Sequence, residues 1–372
     1  MPRIKLKDCG WERAGDSPIV ESLGSKRVVL HDPDGSAEVL LSALAAGPQT
    51  AAEVRARLAR AGRPVTEEEL DAALSALDSI PLLDDADGAS LGEPELDLRH
   101  HSNLAFCQEY TGLHRTPADL QRRLRDAHVL QLGTGGLGSN VLQCLAGLGV
   151  GRLTLLDADV VEPRNFARQC IYRRADVGRP KVERAAEWLR DFDDRIEVRT
   201  VQPRVTGPGD VVDLLDVVDV VSSAIDTPAL QVDRWVNEAC MLAGKPWVRG
   251  GATGTATRPF SVDPGRSACF ACRAHAYETV RAGADAEGAA ARAAAATGRV
   301  NRAIGPIAAL LGSQVAMEVL RYVTGFEPPS AAGVSVTVDV AGGSRVERWE
   351  WPADASCVLC AEAGRTDPAF VA

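Results

Sequence analysis

The side chains best suited to chemistry begin in one glycine-rich stretch, HVLQLGTGGLGSN. An apolar run is followed there by a G-x-G-x-x-G pattern made of Gly133, Gly135 and Gly138. Such glycines allow a tight turn, a close approach of backbone to phosphate oxygens, and packing of the next helix on a sheet. The N-terminus of that helix offers free N–H groups and a positive dipole to an anion. The stretch therefore predicts a nucleotide-binding turn.

An acidic residue and a cluster of cations and amides follow this turn. Asp157 ends the next apolar run, about 20 residues on, where an acid accepts hydrogen bonds from ribose hydroxyls. The cluster consists of Asn165, Arg168, Gln169 and Lys181. A diphosphate on a helix N-terminus needs fewer partners, so the set favours a triphosphate that is attacked at its α-phosphorus. A dinucleotide used for redox chemistry is the disfavoured alternative.

The surrounding elements predict how these residues are brought together. From about residue 128, apolar strand runs alternate with helical segments, which is typical of a Rossmann-like, doubly wound α/β fold with a mostly parallel sheet. Such sheets bind ligands in the crevice outside the carboxyl ends of their strands. Asp226 follows the run DVVDVVSSAI at such an end. A carboxylate that faces phosphates there favours Mg²⁺.

Four segments carry a resemblance to a known family. In order and spacing, GTGGLGSN, LLDADVVEPRNFARQ, GRPKVERA and AIDTPALQ resemble the ThiF/MoeB superfamily of E1-like adenylating enzymes. This superfamily includes ubiquitin-activating enzymes and microcin-C-type peptide-modifying enzymes, and the resemblance covers about residues 96–365. It implies that a carboxylate, usually the C-terminus of a small protein or peptide, attacks the α-phosphate of ATP. The products are an acyl-adenylate and pyrophosphate.

The resemblance also assigns roles by position. Gly135 and Gly136 would lie against the phosphates, Asp157 would hold the ribose, and Asp226 would bind Mg²⁺. The implied nucleotide-binding set is Gly133, Gly135, Gly136, Gly138, Asp157, Asp159, Asn165 and Gln169. The implied catalytic set is Arg168, Lys181, Asp226 and Arg99.

One segment departs from the family pattern. Members often carry R-x-x-R-[QN] before the domain, and the second arginine reaches into the ATP site of the partner subunit. The matching stretch is RHHSNLAF, with Arg99 at the first position and Ser102 at the second. Either Arg99 or another cation takes this role, or adenylation is slow or lost. The family usually forms homodimers, and we expect one here.

Two C-x-x-C pairs supply four of the nine cysteines. In CFAC and CVLC this spacing lets thiolates take adjacent corners of a tetrahedral Zn²⁺ site. The predicted ligands are Cys269, Cys272, Cys357 and Cys360. Four sulfur ligands leave no position for water, so the zinc would be structural and would tie the C-terminal segment to the domain. A redox role is the weaker alternative, and none of the other five cysteines has the context of a catalytic nucleophile.

The N-terminal part has a different pattern. Three strand-like runs precede three short helices, two of which open with the capping-box pairs Thr50–Glu53 and Thr66–Glu69. This order predicts a small winged-helix-like domain over residues 1–95, with an adenylation domain over 96–372. The polar stretch 85–103, which contains Gly and Pro, is interpreted as the linker.

This front domain leads to the functional prediction. Its layout resembles the microcin-C-type members, in which such a module clamps a peptide, and SKRVVLHD is the candidate edge strand to which a peptide adds. We therefore expect an ATP-dependent adenylating enzyme that matures a ribosomally made peptide by activating a carboxylate or a carboxamide-derived group. The alternatives are an activating enzyme for a sulfur carrier or ubiquitin-like protein, and a non-catalytic peptide-recruiting partner.

Composition excludes other classes. A net charge of −10 argues against nucleic acid as the main partner, since binding its backbone needs clustered cations. No apolar run approaches the ~18 residues that predict a membrane span, so we expect no membrane partner. The first residues lack the apolar segment of a secretory signal, and we expect a cytoplasmic protein.

Overall fold

The chain folds into two compact units that divide between Arg123 and Leu124. The computed structural model describes residues 3–14, 17–22, 27–282 and 303–366. Its strands are β1 Ile4–Leu6, β2 Cys9–Ala14, β3 Ser17–Ser22, β4 Arg27–Val29, β5 Leu83–Asp85, β6 His128–Leu132, β7 Arg152–Leu156, β8 Glu197–Val201, β9 Val220–Ser223, β10 Trp247–Thr253, β11 Ala256–Val262, β12 Val334–Asp339 and β13 Arg345–Glu350. Its α-helices are α1 Ser36–Leu44, α2 Ala51–Arg60, α3 Glu67–Ser79, α4 Pro94–Arg99, α5 His101–Gln108, α6 Pro117–Asp126, α7 Gly136–Leu148, α8 Lys181–Phe192, α9 Gly209–Val212, α10 Gln231–Ala243, α11 Phe270–Ala282, α12 Gly305–Thr324 and α13 Val358–Thr366.

The first unit packs short strands against the helices α1 to α3. Thr50 and Thr66 cap α2 and α3, and in each capping box the glutamate three residues on accepts from the threonine backbone N–H. On α3, Leu70, Leu74 and Leu77 are buried on one apolar face. The three predicted helices therefore exist and share one core.

Two details of this unit differ from the sequence prediction. The first strand-like run is divided, because β1 pairs with β5 whereas β2 joins the antiparallel meander β2-β3-β4. Apolar and polar residues alternate in this run, so the side chains of Ile4 and Leu6 both face the helical core and are buried there. This burial separates β1 from the meander that contains β2. The expected linker 85–103 contains α4, because Pro94 occupies its first turn and Asp97 accepts a hydrogen bond from the backbone N–H of Leu91.

The second unit is built on an eight-stranded sheet of order β13-β12-β11-β10-β9-β6-β7-β8. The five strands from β10 to β8 are parallel, and β11, β12 and β13 continue the sheet antiparallel. The chain runs from β6 outward to β7 and β8, and then returns to β9 on the other side of β6. This confirms the mostly parallel α/β fold, with a topological switch point between β6 and β9.

Helices cover the sheet and fix its edges. Helix α12 packs on α7, β10 and β11, while α8 packs on β7 and β8. The approach of α12 to α7 depends on Gly312, since a Cβ there would lie 2.5 Å from the Asn140 Cβ. No helix among the described residues is both long and apolar enough to span a bilayer.

Candidate active site

A cavity of about 1040 Å³ opens along the carboxyl ends of the central parallel strands. Its walls come from the turns that follow β6, β7 and β9 and from β10 itself. These strands flank the switch point, which is where open α/β sheets bind ligands. Nearly all of the predicted site residues of the second unit line this cavity: Gly133, Gly135, Gly136, Asp157, Asp159, Asn165, Arg168, Gln169, Lys181 and Asp226.

Two of the glycines hold the turn after β6 in shape. Gly133 has a left-handed φ of 82°, and a Cβ there would lie 3.0 Å from the backbone of Ala224. At Gly138 a Cβ would lie 1.9 Å from the carbonyl oxygen of Gly133, which no side chain tolerates. Gly138 does not line the cavity, so its role is to pack α7 closely on β6.

The other two glycines keep the mouth of the turn open. A Cβ at Gly135 would meet only the Gln169 amide nitrogen at 3.7 Å, an ordinary contact. At Gly136 a Cβ would lie 2.9 Å from Cδ and Nε of Arg168, whose side chain therefore lies across the glycine. Helix α7 starts here without a side-chain cap, which leaves its first N–H groups available to an anion.

Asp157 binds the turn as well as lining the cavity. Its Oδ2 accepts hydrogen bonds from the backbone N–H and the hydroxyl of Thr134, at 2.7 and 2.9 Å, and its Oδ1 accepts from the Asp159 N–H at 2.8 Å. Carboxylate oxygens have further lone pairs, so a role at the ribose is compatible with these bonds and stays a prediction.

Lys181 is the first residue of α8 and is almost fully buried. Its Nζ lies 3.1 Å from Oδ2 of Asp159, and its backbone N–H donates to the Asp159 carbonyl. The Tyr172 hydroxyl donates to the Thr134 carbonyl at 2.7 Å and also approaches the Lys181 carbonyl. Burial raises the pKa of Tyr172, so it stays a neutral donor that ties the glycine turn to the start of α8.

The segment between these elements carries Asn165, Arg168 and Gln169. Asn165 is buried and its Oδ1 accepts from the Glu162 N–H, which closes a short 3₁₀ turn. Gln169 is also buried, and its Oε1 has no hydrogen-bond partner among the described residues. A buried acceptor without a partner, beside Gly135 at the cavity wall, fits a site that is completed by a ligand.

Asp226 is exposed at the end of the segment that follows β9, and the Thr227 hydroxyl donates to its Oδ1 at 3.2 Å. An exposed carboxylate at the cavity mouth matches the oxygen ligands that Mg²⁺ prefers. Arg99 and Ser102 belong to the first unit, at the end of α4 and in α5. The role expected of Arg99 depends on a partner subunit and stays a prediction.

The sequence prediction missed three cations that line the cavity, Arg164, Arg204 and Arg249. Arg204 follows β8 and lies 3.5 Å from Asp159, and Arg249 on β10 lies 2.6 Å from Asp233. Arg249 is the third residue of β10 and pairs with Ser223 at the end of β9, a register that the run PWVRGGA does not reveal.

The four predicted zinc ligands come together. All four sulfurs lie within 4.8 Å of one another, and neighbouring pairs are 3.5 to 3.8 Å apart. Zn–S bonds of about 2.3 Å in a tetrahedron place sulfurs about 3.8 Å apart, so the cluster fits Zn²⁺. A hydrogen bond from Cys360 lowers the pKa of Cys269 to about 5, whereas burial raises that of Cys272 to about 11. The first thiolate thus forms readily in this cluster.

Three of the other cysteines lack the properties of a nucleophile. Burial raises the pKa of the Cys107 thiol to about 11, and it raises the pKa of Cys144 and Cys240 as well. A reactive cysteine needs the opposite shift.

A model of the ThiF family matches residues 107–359. This chain belongs to the ThiF family. The match contains every residue of the glycine turn, the cation cluster and Asp226. Membership confirms the resemblance found in the sequence.

Curated relatives match part of the chain. The probable adenylyltransferase/sulfurtransferase MoeZ of Mycobacterium tuberculosis is 41% identical over 132 residues, which are 36% of this chain and 33% of MoeZ. The adenylyltransferase and sulfurtransferase MOCS3 of Bos taurus is 35% identical over 211 residues, 56% of this chain and 42% of MOCS3. The chain thus spans less than half the length of these relatives.

A solved structure extends the similarity in fold. E. coli MccB, crystallised with AMPCPP and MccA, matches with a TM-score of 0.75 and 19% identity, covering 96% of this chain and 99% of MccB. The shared fold therefore includes most of both units.

Proposed function

We propose that this ThiF-family chain adenylates the C-terminal carboxylate of a polypeptide, with ATP bound along the switch-point cavity. The observation that carries the proposal is the placement of Arg168 across Gly136, with buried Lys181 and Gln169 on the same cavity wall. These donors surround the uncapped N-terminus of α7, where the phosphates would lie.

The residues support one reaction in particular. A carboxylate oxygen of the substrate forms a bond to the α-phosphorus, and the bond between the α-phosphorus and the bridging oxygen breaks, so that pyrophosphate leaves with the electron pair. Arg168 and Lys181 would neutralise the charge that develops on the phosphate oxygens. Asp226 would hold Mg²⁺, which supplies further neutralisation of the departing pyrophosphate.

The first candidate substrate is a sulfur carrier or ubiquitin-like protein. The support comes from the relatives MoeZ and MOCS3, both named as adenylyltransferase and sulfurtransferase. An enzyme of this kind activates the C-terminal glycine of its partner. This alternative of the sequence prediction agrees with the curated relatives better than the peptide interpretation does.

The second candidate is a ribosomally made peptide, and one feature of the first unit favours it. Strand β4 lies at the edge of the sheet β2-β3-β4, within the predicted edge segment, and Val29 on it is 62% exposed. An exposed edge can accept an extended peptide as a further strand. E. coli MccB, which shares the fold over both units, was crystallised with MccA.

Pyrophosphate exchange into ATP tests the reaction and separates the candidates. Purified chain is incubated with ATP, Mg²⁺ and labelled pyrophosphate, and either a carrier protein that ends in Gly-Gly or a panel of precursor peptides is added. We expect exchange that depends on one class and disappears when the terminal carboxylate is replaced by an amide. Exchange that is equally fast with the amide would contradict activation of a carboxylate.

A matched variant controls for contaminating activity. Lys181→Met removes a cavity cation, whereas Arg179→Met removes a more exposed cation that pairs with Glu187. The first should lose exchange and the second should keep it. A chain that binds a peptide but neither binds ATP nor supports exchange would instead be a peptide-recruiting partner.

A further inference from the structure

The cavity has two chemically different ends. The end formed by the turns after β6 and β7 carries the glycines, acids and cations described above. The other end is formed by apolar side chains and bare backbone. Its residues are Gly250, Gly251, Ala252 and Leu311, with Gly250 and Leu311 in contact. Nucleotide phosphates need the first end, so the second is left for a part of the substrate that is narrow and uncharged.

Arg249 lies between the polar end and the apolar end of the cavity. In the sheet it is paired with Ser223, the last residue of β9, and Asp226 follows on the same connection. It directly precedes Gly250, whose position leaves no room for a side chain because a Cβ would lie 2.7 Å from Leu311. The guanidinium is therefore the last cation before the apolar end of the cavity.

The guanidinium is held in place by a buried acid. Nε of Arg249 lies 2.6 Å from Oδ1 of Asp233, and the two side chains are 15% and 6% exposed. Since Nε faces the acid, the terminal nitrogens of the fork remain for a second partner. A lysine could not divide its contacts between two anions in this fixed way.

A second guanidinium group lies near the same acid but outside the cavity lining. Asp233 is in the electrostatic field of Arg273 and of Asp226 as well as that of Arg249. Arg273 is fixed by aromatic rings, with its guanidinium carbon 4.8 Å from the centroid of Phe260 and 5.6 Å from that of Trp351. Of the two guanidinium groups that share Asp233, Arg249 is therefore the one that lines the cavity and can meet a ligand.

We propose that Arg249 binds the carboxylate of the acyl substrate and presents it to the α-phosphorus, and that Asp233 is the positioning residue for Arg249. This assignment rests on the proposed function. Carboxylate is favoured over phosphate because Arg249 adjoins the apolar end, which fits the chain behind a C-terminal carboxylate. The phosphate-binding turn lies two strands away, after β6, with β9 between.

Binding of a synthetic hexapeptide that ends in Gly-Gly tests the assignment without turnover. The full chain is saturated with AMPCPP and Mg²⁺, and the peptide is titrated as its free acid and as its C-terminal amide by calorimetry. The parent should bind the acid about tenfold to hundredfold more tightly than the amide, the range of a charge-assisted pair. Equal binding of acid and amide by the parent would overturn the assignment.

Three variants test whether the preference for the free-acid peptide over its amide depends on Arg249. Arg249→Met should abolish it, and Arg249→Lys should retain part of it while keeping a cation beside Asp233. Arg321→Met is the matched control, since Arg321 pairs with the buried Glu318 in the same unit but does not line the cavity. A preference that persists in both Arg249 variants would overturn the proposal.

The affinity for AMPCPP alone is the second readout. It should stay within about twofold in all variants, because the proposal places Arg249 outside the phosphate site. If Arg249→Lys bound AMPCPP much more weakly but still preferred the free-acid peptide over its amide to the same degree, Arg249 would be assigned to the nucleotide. That result would overturn the proposal. A parent that shows the acid preference but no pyrophosphate exchange would refute the proposed reaction and leave the carboxylate site standing.

Discussion

Alanine at Gly135 should separate nucleotide binding from folding, whereas alanine at Gly138 should not. At Gly138 the new Cβ would lie 1.9 Å from a backbone oxygen, and real Cβ contacts are essentially never shorter than 3.0 Å. The start of α7 would have to move away from β6 by about 1 Å. Overpacking of this kind lowers stability by about 1–3 kcal/mol.

At Gly135 the same methyl group meets nothing closer than 3.7 Å. The folded chain accepts it, and the free energy of unfolding should change by less than about 1 kcal/mol. The methyl group would nevertheless stand on the open face of the turn, where we place the phosphates. We expect ATP to bind about tenfold to hundredfold more weakly, the equivalent of about 1–3 kcal/mol of overpacking against the ligand.

Thermal unfolding and calorimetric titration with AMPCPP and Mg²⁺ measure the two effects. For a unit of this size, each kcal/mol shifts Tm by about 2–4 °C, so the loss of about 1–3 kcal/mol in Gly138→Ala should lower Tm by about 2–12 °C. Gly135→Ala should keep Tm within about 3 °C of the parent while losing affinity. A Gly135→Ala protein that binds the nucleotide as tightly as the parent would refute the placement of phosphates at this turn.

Three further predictions concern the metal sites and the assembly. Asp226→Ala should abolish Mg²⁺-dependent ATP turnover and leave Tm within about 2 °C, because the side chain is exposed; unchanged steady-state turnover would contradict the Mg²⁺ assignment. Elemental analysis should find one zinc per chain at pH 7.5 and less zinc at acidic pH, because protons compete with the metal for the four thiolates. Cys357→Ser should lose this zinc and the exposed-cysteine variant Cys170→Ser should keep it, whereas equal zinc contents would exclude the four-sulfur site. Light scattering at micromolar concentration should give the mass of a dimer, and a clean monomer would leave Arg99 no route to a partner's site.

Local sequence determined most of the nucleotide end of the site. The turn, α7 and the acid at the end of β7 form one strand-turn-helix-strand unit, so the spacing of Gly133, Gly138 and Asp157 was sufficient to place them. The four thiols were likewise predicted from two short pairs, because each pair is a local turn. Each pair is close in sequence, whereas the meeting of the two pairs, 88 residues apart in the chain, depends on the fold.

Residues contributed by distant strands were harder to predict. Arg249 reaches the cavity only because β9 and β10 return to the other side of β6, and the order of strands is not visible in their composition. Arg204 depends in the same way on the position of β8. The division of the first run into β1 and β2 was missed because the pairing of β1 with β5 joins segments far apart in the chain.

The most direct test of the account follows oxygen from the carboxylate to the nucleotide. A substrate accepted in pyrophosphate exchange is labelled with ¹⁸O in its terminal carboxylate, the adenylate is captured with hydroxylamine, and the products are analysed by mass spectrometry. Attack on the α-phosphorus leaves the former carboxylate oxygen on AMP, so the account predicts AMP with one ¹⁸O and unlabelled pyrophosphate. Unlabelled AMP, or label in phosphate or pyrophosphate, would contradict it.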